Sequence, residues 1–202
     1  MEIIQSHTEY MNEDFSNCDL SEVSLTGSRF LQCSFKGSAM SFFLTDHCFF
    51  ENCNFSFARI NGSVHKSSLF LNCIFRAANL FSAELSNCKC TGSSFTGADL
   101  SALKLQGGDY SYTNFNDCDL HGWNLRGMKF QNAFLQNCRL EKADLRDADL
   151  RHVILTGSNL EQADLRGADL SGVDFLSIRM KQTKIDLTQA VLVAEGMGCV
   201  CL

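Results

Sequence analysis

The chain has 202 residues, which is enough for one domain or at most two. Its formal net charge of −6 argues against general binding of nucleic acid or anionic membrane, because such binding needs an excess of Lys and Arg. Eleven cysteines without a recognisable export signal, and no apolar run of about 18 residues, predict reduced thiols and no spanning helix. We therefore expect a cytoplasmic protein that contacts neither nucleic acid nor membrane directly.

The chain begins with residues 1–9, which fit no repeat and are predicted to form an N-terminal cap. A five-residue phase starts at Tyr10 and continues to Ile185, with a large apolar residue at almost every multiple of five. A helix repeats its faces about every 3.6 residues and a strand about every 2, so this period needs a composite unit. Residues 10–185 are therefore predicted to form one continuous repeat region.

Each five-residue unit has a second inward position two residues before its centre, which is usually occupied by a small residue, and often Gly two residues after the centre. Two inward residues separated by one outward residue form a short extended piece, and two further residues turn the corner. Gly suits a corner because it adopts unusual backbone angles without a steric cost. The pattern predicts short straight edges joined by tight corners.

The aromatic centres give the number of units in each coil. Each of their positions leaves a remainder of 10 or 15 on division by 20, which predicts a coil of four units with aromatic side chains stacked on two adjacent faces. Coils would stack at a strand spacing of about 4.8 Å, so about nine coils would form a rod roughly 42 Å long. The predicted fold class is an all-β solenoid. The aromatic centres are Tyr10, Phe15, Phe30, Phe35, Phe50, Phe55, Phe70, Phe75, Phe95, Tyr110, Phe115, Phe130 and Phe175.

The part of the repeat between residues 40 and 70 keeps the phase but changes the chemistry. Thr45 and His65 replace large apolar centres, and nearby outward positions become apolar. A contiguous outward apolar patch predicts either a covering segment, for which residues 1–9 are the candidate, or a partner protein. The candidate patch consists of Leu44, Phe49, Val64 and Leu69.

The repeat stops after Ile185, and residues 186–202 form a distinct tail. Asp186 is a candidate N-cap, and a short helix is predicted from about Leu187 to Glu195. An apolar tail at the open end of a solenoid covers the last coil or pairs with its copy in a second molecule. Apolar residues beyond the helix favour a homodimer. The candidate dimerisation residues are Leu187, Val191, Leu192, Met197, Val200 and Leu202.

Catalytic chemistry is not indicated by the sequence. Catalysis needs convergent polar groups in a concave site, whereas nearly all inward positions here are apolar or small. His65 is the one inward histidine and is interpreted as a packing outlier. Cys33, Cys53 and Cys73 share one face, but a small buriable residue suits that position without any metal. We predict no catalytic residue, no metal and no cofactor, and hence no enzyme.

The outward positions carry rows of carboxylates that repeat at the coil spacing. Such charges usually form a solvated surface, but a row could also imitate the phosphates of DNA, which carries one charge per about 1.7 Å. The 17 basic residues offset most of the 23 acidic ones, so charge alone does not establish mimicry. The candidate acidic partner surface consists of Asp99, Asp119, Asp144, Asp149, Asp164 and Asp169.

The repeat resembles the pentapeptide-repeat family, whose pattern is A(D/N)LXX. The segments KADLR, DADLR, QADLR and GADLS between residues 142 and 171 match that pattern, and the resemblance covers residues 10–185. It implies a right-handed quadrilateral β-helix, in agreement with the 20-residue coil. The repeat pattern by itself implies no particular function.

The tail resembles the C-terminal segment of the Qnr quinolone-resistance proteins. In that group the segment forms a helix that joins two rods into a dimer resembling B-form DNA, which engages DNA gyrase or topoisomerase IV and protects it from quinolones or peptide toxins. The unbroken phase leaves no room for the loops of many Qnr proteins, and in this respect the chain is more like MfpA-type members. The residues that carry this resemblance are Asp186, Gln189, Ala190, Leu192, Glu195, Gly198 and Val200.

Two functions therefore remain open at the level of the sequence. The first is a DNA-mimicking, dimeric binder of a type II topoisomerase, which the tail favours. The second is a non-enzymatic structural or protein-interaction rod with a different partner, which would need only a cap at its end.

Overall fold

The structure is a computed structural model and describes residues 4–200. The chain divides into two compact units, the first ending at Asp109 and the second beginning at Tyr110. Residues 4–200 contain nine short strands and one α-helix. The predicted all-β solenoid with a short C-terminal helix is confirmed.

The strands of the first unit form two parallel sheets. One sheet has the order β1-β3-β5-β7, and the other has the order β2-β4-β6-β8-β9. Within each sheet, every strand but the last pairs with the strand 20 residues further along, for example Tyr10 with Phe30 and Leu25 with Thr45. The strands are β1 (Glu9–Met11), β2 (Ser24–Thr26), β3 (Arg29–Leu31), β4 (Leu44–Asp46), β5 (Phe49–Glu51), β6 (Val64–Lys66), β7 (Leu69–Leu71), β8 (Glu84–Ser86) and β9 (Lys104–Gln106).

Each coil of the first unit has four faces, which we name by their first centre residues as the Tyr10, Phe15, Leu20 and Leu25 faces. The Tyr10 and Leu25 faces are the two sheets, and isolated parallel bridges join successive coils on the other two. The second unit keeps the same 20-residue register through isolated bridges, for example between 114 and 134. Regular strands therefore stack over about five turns rather than the nine coils expected. Elsewhere the straight edges of the coils are so short that they form only isolated bridges.

The predicted aromatic columns are present in the first unit. Tyr10, Phe30, Phe50 and Phe70 stack with ring centroids 4.9, 4.9 and 4.8 Å apart. A second column runs from Phe15 to Phe95 at spacings of 4.8–5.1 Å. The ring spacing equals the strand spacing, so the backbone ladder and the aromatic core reinforce each other.

The corners have left-handed backbone conformations. At nearly every corner, the residue two positions after the centre has φ between about 50° and 76°, whether it is Gly, Asn or another residue. At Gly62 a side chain would also collide with the preceding coil, because an added Cβ would lie 2.7 Å from Cε1 of Phe42. A corner glycine such as Gly62 therefore adopts the left-handed backbone conformation without strain and also leaves room for the side chain of the preceding coil.

The N-terminal residues of the described chain extend the first coil. Ile4 is buried, and the His7 N–H donates to the Thr26 carbonyl at 2.9 Å. The hydroxyl of Ser28 donates to the carbonyl of Gln5 at 2.9 Å. Residues 4–9 therefore lie against residues 24–30; the rest of the predicted cap lies outside the described residues.

Candidate interaction surfaces

The C-terminal helix α1 (Leu187–Gly196) is fixed to the second unit by a polar clasp. Asp186 and Gln189 form a reciprocal capping box, and the other Asp186 oxygen accepts from the Gly167 N–H at 2.9 Å. The side-chain amide of Gln189 is buried and donates to the carbonyls of Leu165 and Ala168. Gln189 thus satisfies carbonyls of the last coil, as an end cap must.

The predicted dimerisation residues divide into two groups. Leu187, Val191, Met197 and Val200 are exposed, and Leu187 and Val191 lie one turn apart on the same helical face. Leu192 is half-buried instead, on the other side of the helix. Leu202 lies outside the described residues. The described tail therefore covers the last coil and still presents apolar side chains outward.

The predicted apolar patch consists of two directly paired rows. Leu44 pairs with Val64 on the Leu25 face, and Phe49 pairs with Leu69 on the Tyr10 face. Leu44 is exposed and the other three are half-buried. The guanidinium of Arg29 lies 4.7 Å from the centre of the Phe49 ring. None of the hydrogen bonds described for residues 4–9 reaches this patch.

Thr45 and His65 belong to a buried polar network inside the first unit. Thr45 Oγ1 lies 2.8 Å from His65 Nδ1 and 3.0 Å from Ser68 Oγ, and His65 Nε2 lies 3.0 Å from Ser63 Oγ. Burial lowers the pKa of His65 to about 3, so the ring is neutral at physiological pH. The network satisfies its own polar groups, in keeping with a packing role.

The small inward residues have a hydrogen-bonding role that the sequence did not reveal. Many of them donate a thiol or hydroxyl to the backbone carbonyl 23 residues earlier, as Cys53 does to Phe30 and Ser93 does to Phe70. Burial raises the pKa of Cys138 to about 12, which keeps this thiol protonated. Within residues 4–200, no group of His, Cys, Asp and Glu has the arrangement of a metal site.

The acidic rows of the second unit are largely neutralised by arginine. Asp144 pairs with Arg146 at 2.6 Å, and the same two-residue spacing joins Asp149 to Arg151 and Asp164 to Arg166. Both oxygens of each carboxylate accept from one guanidinium. The hydrogen bond from Arg166 lowers the pKa of Asp164 to about 2.

The remaining candidate acids are less uniform. Asp119 pairs with Arg139 at 2.8 Å, whereas Asp169 accepts from the hydroxyl of Ser171 at 2.6 Å and lies 3.7 Å from Arg151. Asp99 accepts from the backbone N–H of Ser101. The signal that could have revealed the pairing is the repeated D-L-R, because residues two apart on a strand point to the same side.

The unbalanced negative charge lies elsewhere, in the first coil. Residues 1–28 contain six acidic residues and no Lys or Arg, so residues 29–202 contain 17 acidic and 17 basic residues. The net charge of −6 therefore equals the charge of residues 1–28. Glu9 pairs with Arg29, while Glu13, Asp14, Asp19 and Glu22 are exposed and form no ion pair within residues 4–200.

Comparison with known proteins places this fold in a family. The model for pentapeptide repeats matches eight copies over residues 14–42, 73–109, 111–147 and 143–182. The chain belongs to the pentapeptide-repeat family. None of the helices in residues 4–200 is long and apolar enough to cross a membrane.

Solved structures of QnrB1, a plasmid-mediated fluoroquinolone resistance protein, resemble the whole chain. Two trypsin-treated variants match with TM-scores of 0.65 and 0.64 at 21% identity, covering 98% of this chain and 99% of theirs. Full-length QnrB1 matches with a TM-score of 0.58 at 21% identity, covering 96% of this chain and 99% of its own. At this identity the likeness establishes the fold. No curated protein matches the chain.

Proposed function

We propose that this protein binds a type II topoisomerase, DNA gyrase or topoisomerase IV, in place of duplex DNA. Binding protects the enzyme from quinolones or topoisomerase toxins. The observation that carries the proposal is the likeness to QnrB1 over nearly the full length of both chains. The core is filled by stacked apolar side chains, so the outer surface performs the function and the protein acts by binding rather than catalysis.

The C-terminal helix supports a homodimer as the active form. Leu187 is 88% exposed and Val200 is 83% exposed, although both are large apolar residues. Burying such a side chain contributes about 1.5–3 kcal/mol, so several buried together would hold two copies. The dimer contact is proposed to use Leu187, Val191, Met197 and Val200, with Leu192 supporting the helix from beneath.

The distribution of charge indicates which acidic residues of this protein would contact the topoisomerase. A surface that binds DNA is basic, because it must neutralise phosphates. The carboxylates of Asp144, Asp149 and Asp164 are already neutralised by their own arginines, so we assign the phosphate-like role to the unpaired acids of the first coil. These are Glu13, Asp14, Asp19 and Glu22.

The test is gyrase supercoiling and DNA cleavage with and without ciprofloxacin. Purified protein is expected to preserve supercoiling in the presence of the drug and to reduce drug-induced cleavage. The proposal is falsified if micromolar protein changes neither supercoiling, nor cleavage, nor drug sensitivity.

A matched pair of charge variants locates the contact. Glu13→Gln, Asp14→Asn, Asp19→Asn and Glu22→Gln together should weaken protection about tenfold or more, since steering and contact both lose charge. Asn keeps the side-chain oxygen that accepts from the N–H of Ser16 and Ser21. The control removes the same formal charge from Asp144, Asp149, Asp164 and Asp169 as Asn, and it should weaken protection less.

Removal of the tail tests the dimer. A chain ending at Ile185 should sediment as a monomer, whereas the full chain should sediment as a dimer. A truncated chain that stays dimeric would refute the role assigned to the helix.

A second candidate function is a protein-interaction solenoid with a different partner. It is favoured by the apolar patch of Leu44, Phe49, Val64 and Leu69, which a DNA mimic does not need. Leu44→Thr with Val64→Thr places a β-branched residue, which suits a strand, at both positions. Loss of topoisomerase protection in this variant would assign the patch to the topoisomerase interface and remove its support for a separate partner.

A further inference from the structure

Three exposed phenylalanines surround the middle of the Leu20 face in the first unit. Phe42 is 58% exposed, Phe57 48% and Phe81 50%. Arg59 lies at the centre, since it is bridged to Ala39 in the preceding coil and to Asn79 in the next. Phe57 lies at the corner before Arg59, while Phe42 and Phe81 lie along the opposite corner. We call Arg59 with these three phenylalanines the aromatic surface.

Two of these phenylalanines occupy backbone conformations that disfavour them. Phe42 has φ 57° and Phe57 has φ 61°, in the left-handed region that Gly and Asn occupy at many other corners. For an ordinary L side chain this region costs about 1–2 kcal/mol. The rings recover little by burial, because about half of each is in solvent. Other non-glycine corner residues, such as Gln32 and Lys142, also adopt this conformation, so the turn itself requires it; Phe42 and Phe57 differ in placing large apolar side chains there that stay about half exposed.

The rings of Phe42 and Phe57 contact neighbouring residues, and the backbone of Phe81 is hydrogen-bonded. The Phe42 ring lies across Gly62, and the Arg76 guanidinium lies 5.7 Å from the centre of the Phe57 ring. The N–H of Phe81 donates to the side-chain oxygen of Asn79 at 2.9 Å. A preorganised surface loses less conformational entropy when a partner binds.

Three cations lie around the aromatic surface, in contrast to the net negative charge of the whole chain. Lys36, Arg59 and Arg76 are exposed, and none of them forms an ion pair within residues 4–200. The acids of the same row, Asp19 and Asp99, lie at its two ends, each two coils away from Arg59. Phenyl rings beside unpaired cations match a segment that carries both apolar side chains and carboxylates.

We propose that the aromatic surface binds a short acidic, amphipathic segment of a partner protein. Aromatic residues and Arg are enriched in the energetic centres of protein interfaces, and here the rings take the apolar side chains while Lys36, Arg59 and Arg76 take the carboxylates. Complementary charge is the reason for choosing an acidic partner. The surface does not include the acids of the first coil, although Glu22 lies one coil before Phe42 at the same corner, and the proposal does not depend on topoisomerase binding.

The test is fluorescence anisotropy on the full chain with three labelled probes: a short amphipathic Glu/Leu peptide, its Lys/Leu counterpart and an oligo(dT). The Glu/Leu peptide should bind, and more weakly at high salt. Phe42→Asn with Phe57→Asn should weaken binding about tenfold or more, because both anchors are lost. Asn tolerates the left-handed region, so this variant should be at least as stable as the parent.

The matched control is Tyr112→Asn. Tyr112 is also an exposed aromatic residue at a left-handed corner, with φ 59° and 55% exposure, but it belongs to the second unit. Peptide binding should be unchanged in this variant. Arg59→Gln should weaken binding and reduce its dependence on salt.

Four results would overturn the proposal. The first is equal binding of the Lys/Leu peptide, and the second is equal loss of binding in Tyr112→Asn. The third is preference for oligo(dT), which would identify a stacking surface for single-stranded nucleic acid. The fourth is self-association that Phe42→Asn with Phe57→Asn abolishes in sedimentation, which would make a second copy the occupant.

Discussion

The two units share one backbone plan but use their outward positions differently. In the first unit, outward and corner positions carry Phe42, Leu44 and Phe57, and the interior contains two aromatic columns. In the second unit, repeated D-L-R segments place a bidentate ion pair on successive coils. A solenoid fixes its inward residues by stacking, whereas outward residues are free to vary. The comparison shows exposed aromatic corners in the first unit and repeated bidentate ion pairs in the second.

The largest expected effect tests whether the aromatic columns dominate the stability of the first unit. Phe50 is fully buried and stacks on Phe30 and Phe70 with nearly parallel rings. Phe50→Ala should lower the free energy of unfolding by about 3–5 kcal/mol, measured by guanidinium denaturation. The control Phe50→Leu, which places the residue of the other columns there, should cost much less. Because Phe50→Leu keeps most of the buried apolar volume and removes only the ring, equal costs for the two variants would show that ring stacking, rather than buried volume, is the source.

The next effect is a loss of stability in acid, which we expect to arise from His65 in the first unit. The pKa of His65 is about 3 in the fold against 6.5 ordinarily, so between these pH values the unfolded chain binds a proton that the native chain does not. The free energy of unfolding therefore falls as the pH decreases from 6.5 toward 3, by on the order of a few kcal/mol.

The matched variant for this effect is Thr45→Leu with His65→Leu, which continues the column of Leu25 and Leu85. Denaturation curves measured across pH 3–7 should show a weaker pH dependence in the variant. An unchanged slope would mean that His65 is not neutral in the native state.

A smaller effect is expected at the end of the second unit. Gln189→Ala removes the partner of the Leu165 and Ala168 carbonyls and of the Asp186 N–H. Leaving such groups unsatisfied should cost about 1–3 kcal/mol and loosen the helix, measured by amide hydrogen exchange of residues 187–196. Thr188→Ala, at an exposed position of the same helix, is the control and should leave exchange nearly unchanged.

The smallest effect concerns the ion pairs of the second unit. Arg166→Gln should raise the pKa of Asp164 from about 2 toward its ordinary value of 3.8, as followed by NMR titration of the carboxyl carbon. Because exposed pairs contribute little, the melting temperature should hardly change. Arg126→Gln, whose partner is Asp147, should leave the Asp164 titration in place. A large loss of stability in Arg166→Gln would contradict the contrast between the units.

Much of the fold was predictable because the repeat is strictly periodic. The 20-residue spacing of Phe30, Phe50 and Phe70 predicted the coil and its aromatic column, and Asp186 with Gly196 predicted the helix. The buried role of Gln189 was not predictable, since its partners lie more than 20 residues earlier. The same holds for the inward thiols, whose acceptor carbonyls belong to the preceding coil.

The candidate surfaces were less predictable than the fold. The sequence identified the rows of Asp as a candidate surface, and their role stays a prediction. Only the structure shows that Arg146 and Arg166 pair with Asp144 and Asp164 at a spacing of two residues. It also found the apolar pairs on the two sheets. It missed Phe42 and Phe57, because a corner residue counts as a turn in a periodic pattern and its exposure depends on the neighbouring coils.

The sequence by itself determined the period, the register and the identity of the stacked columns, because these follow from a spacing that every coil repeats. Only the tertiary structure decided which charges are cancelled and which aromatic rings stay in solvent. Those properties depend on side-chain directions and on neighbours one coil away. In this protein they separate a second unit with repeated Asp–Arg pairs from a first unit with, among the described residues, unpaired acids in its first coil and exposed phenylalanines at its corners.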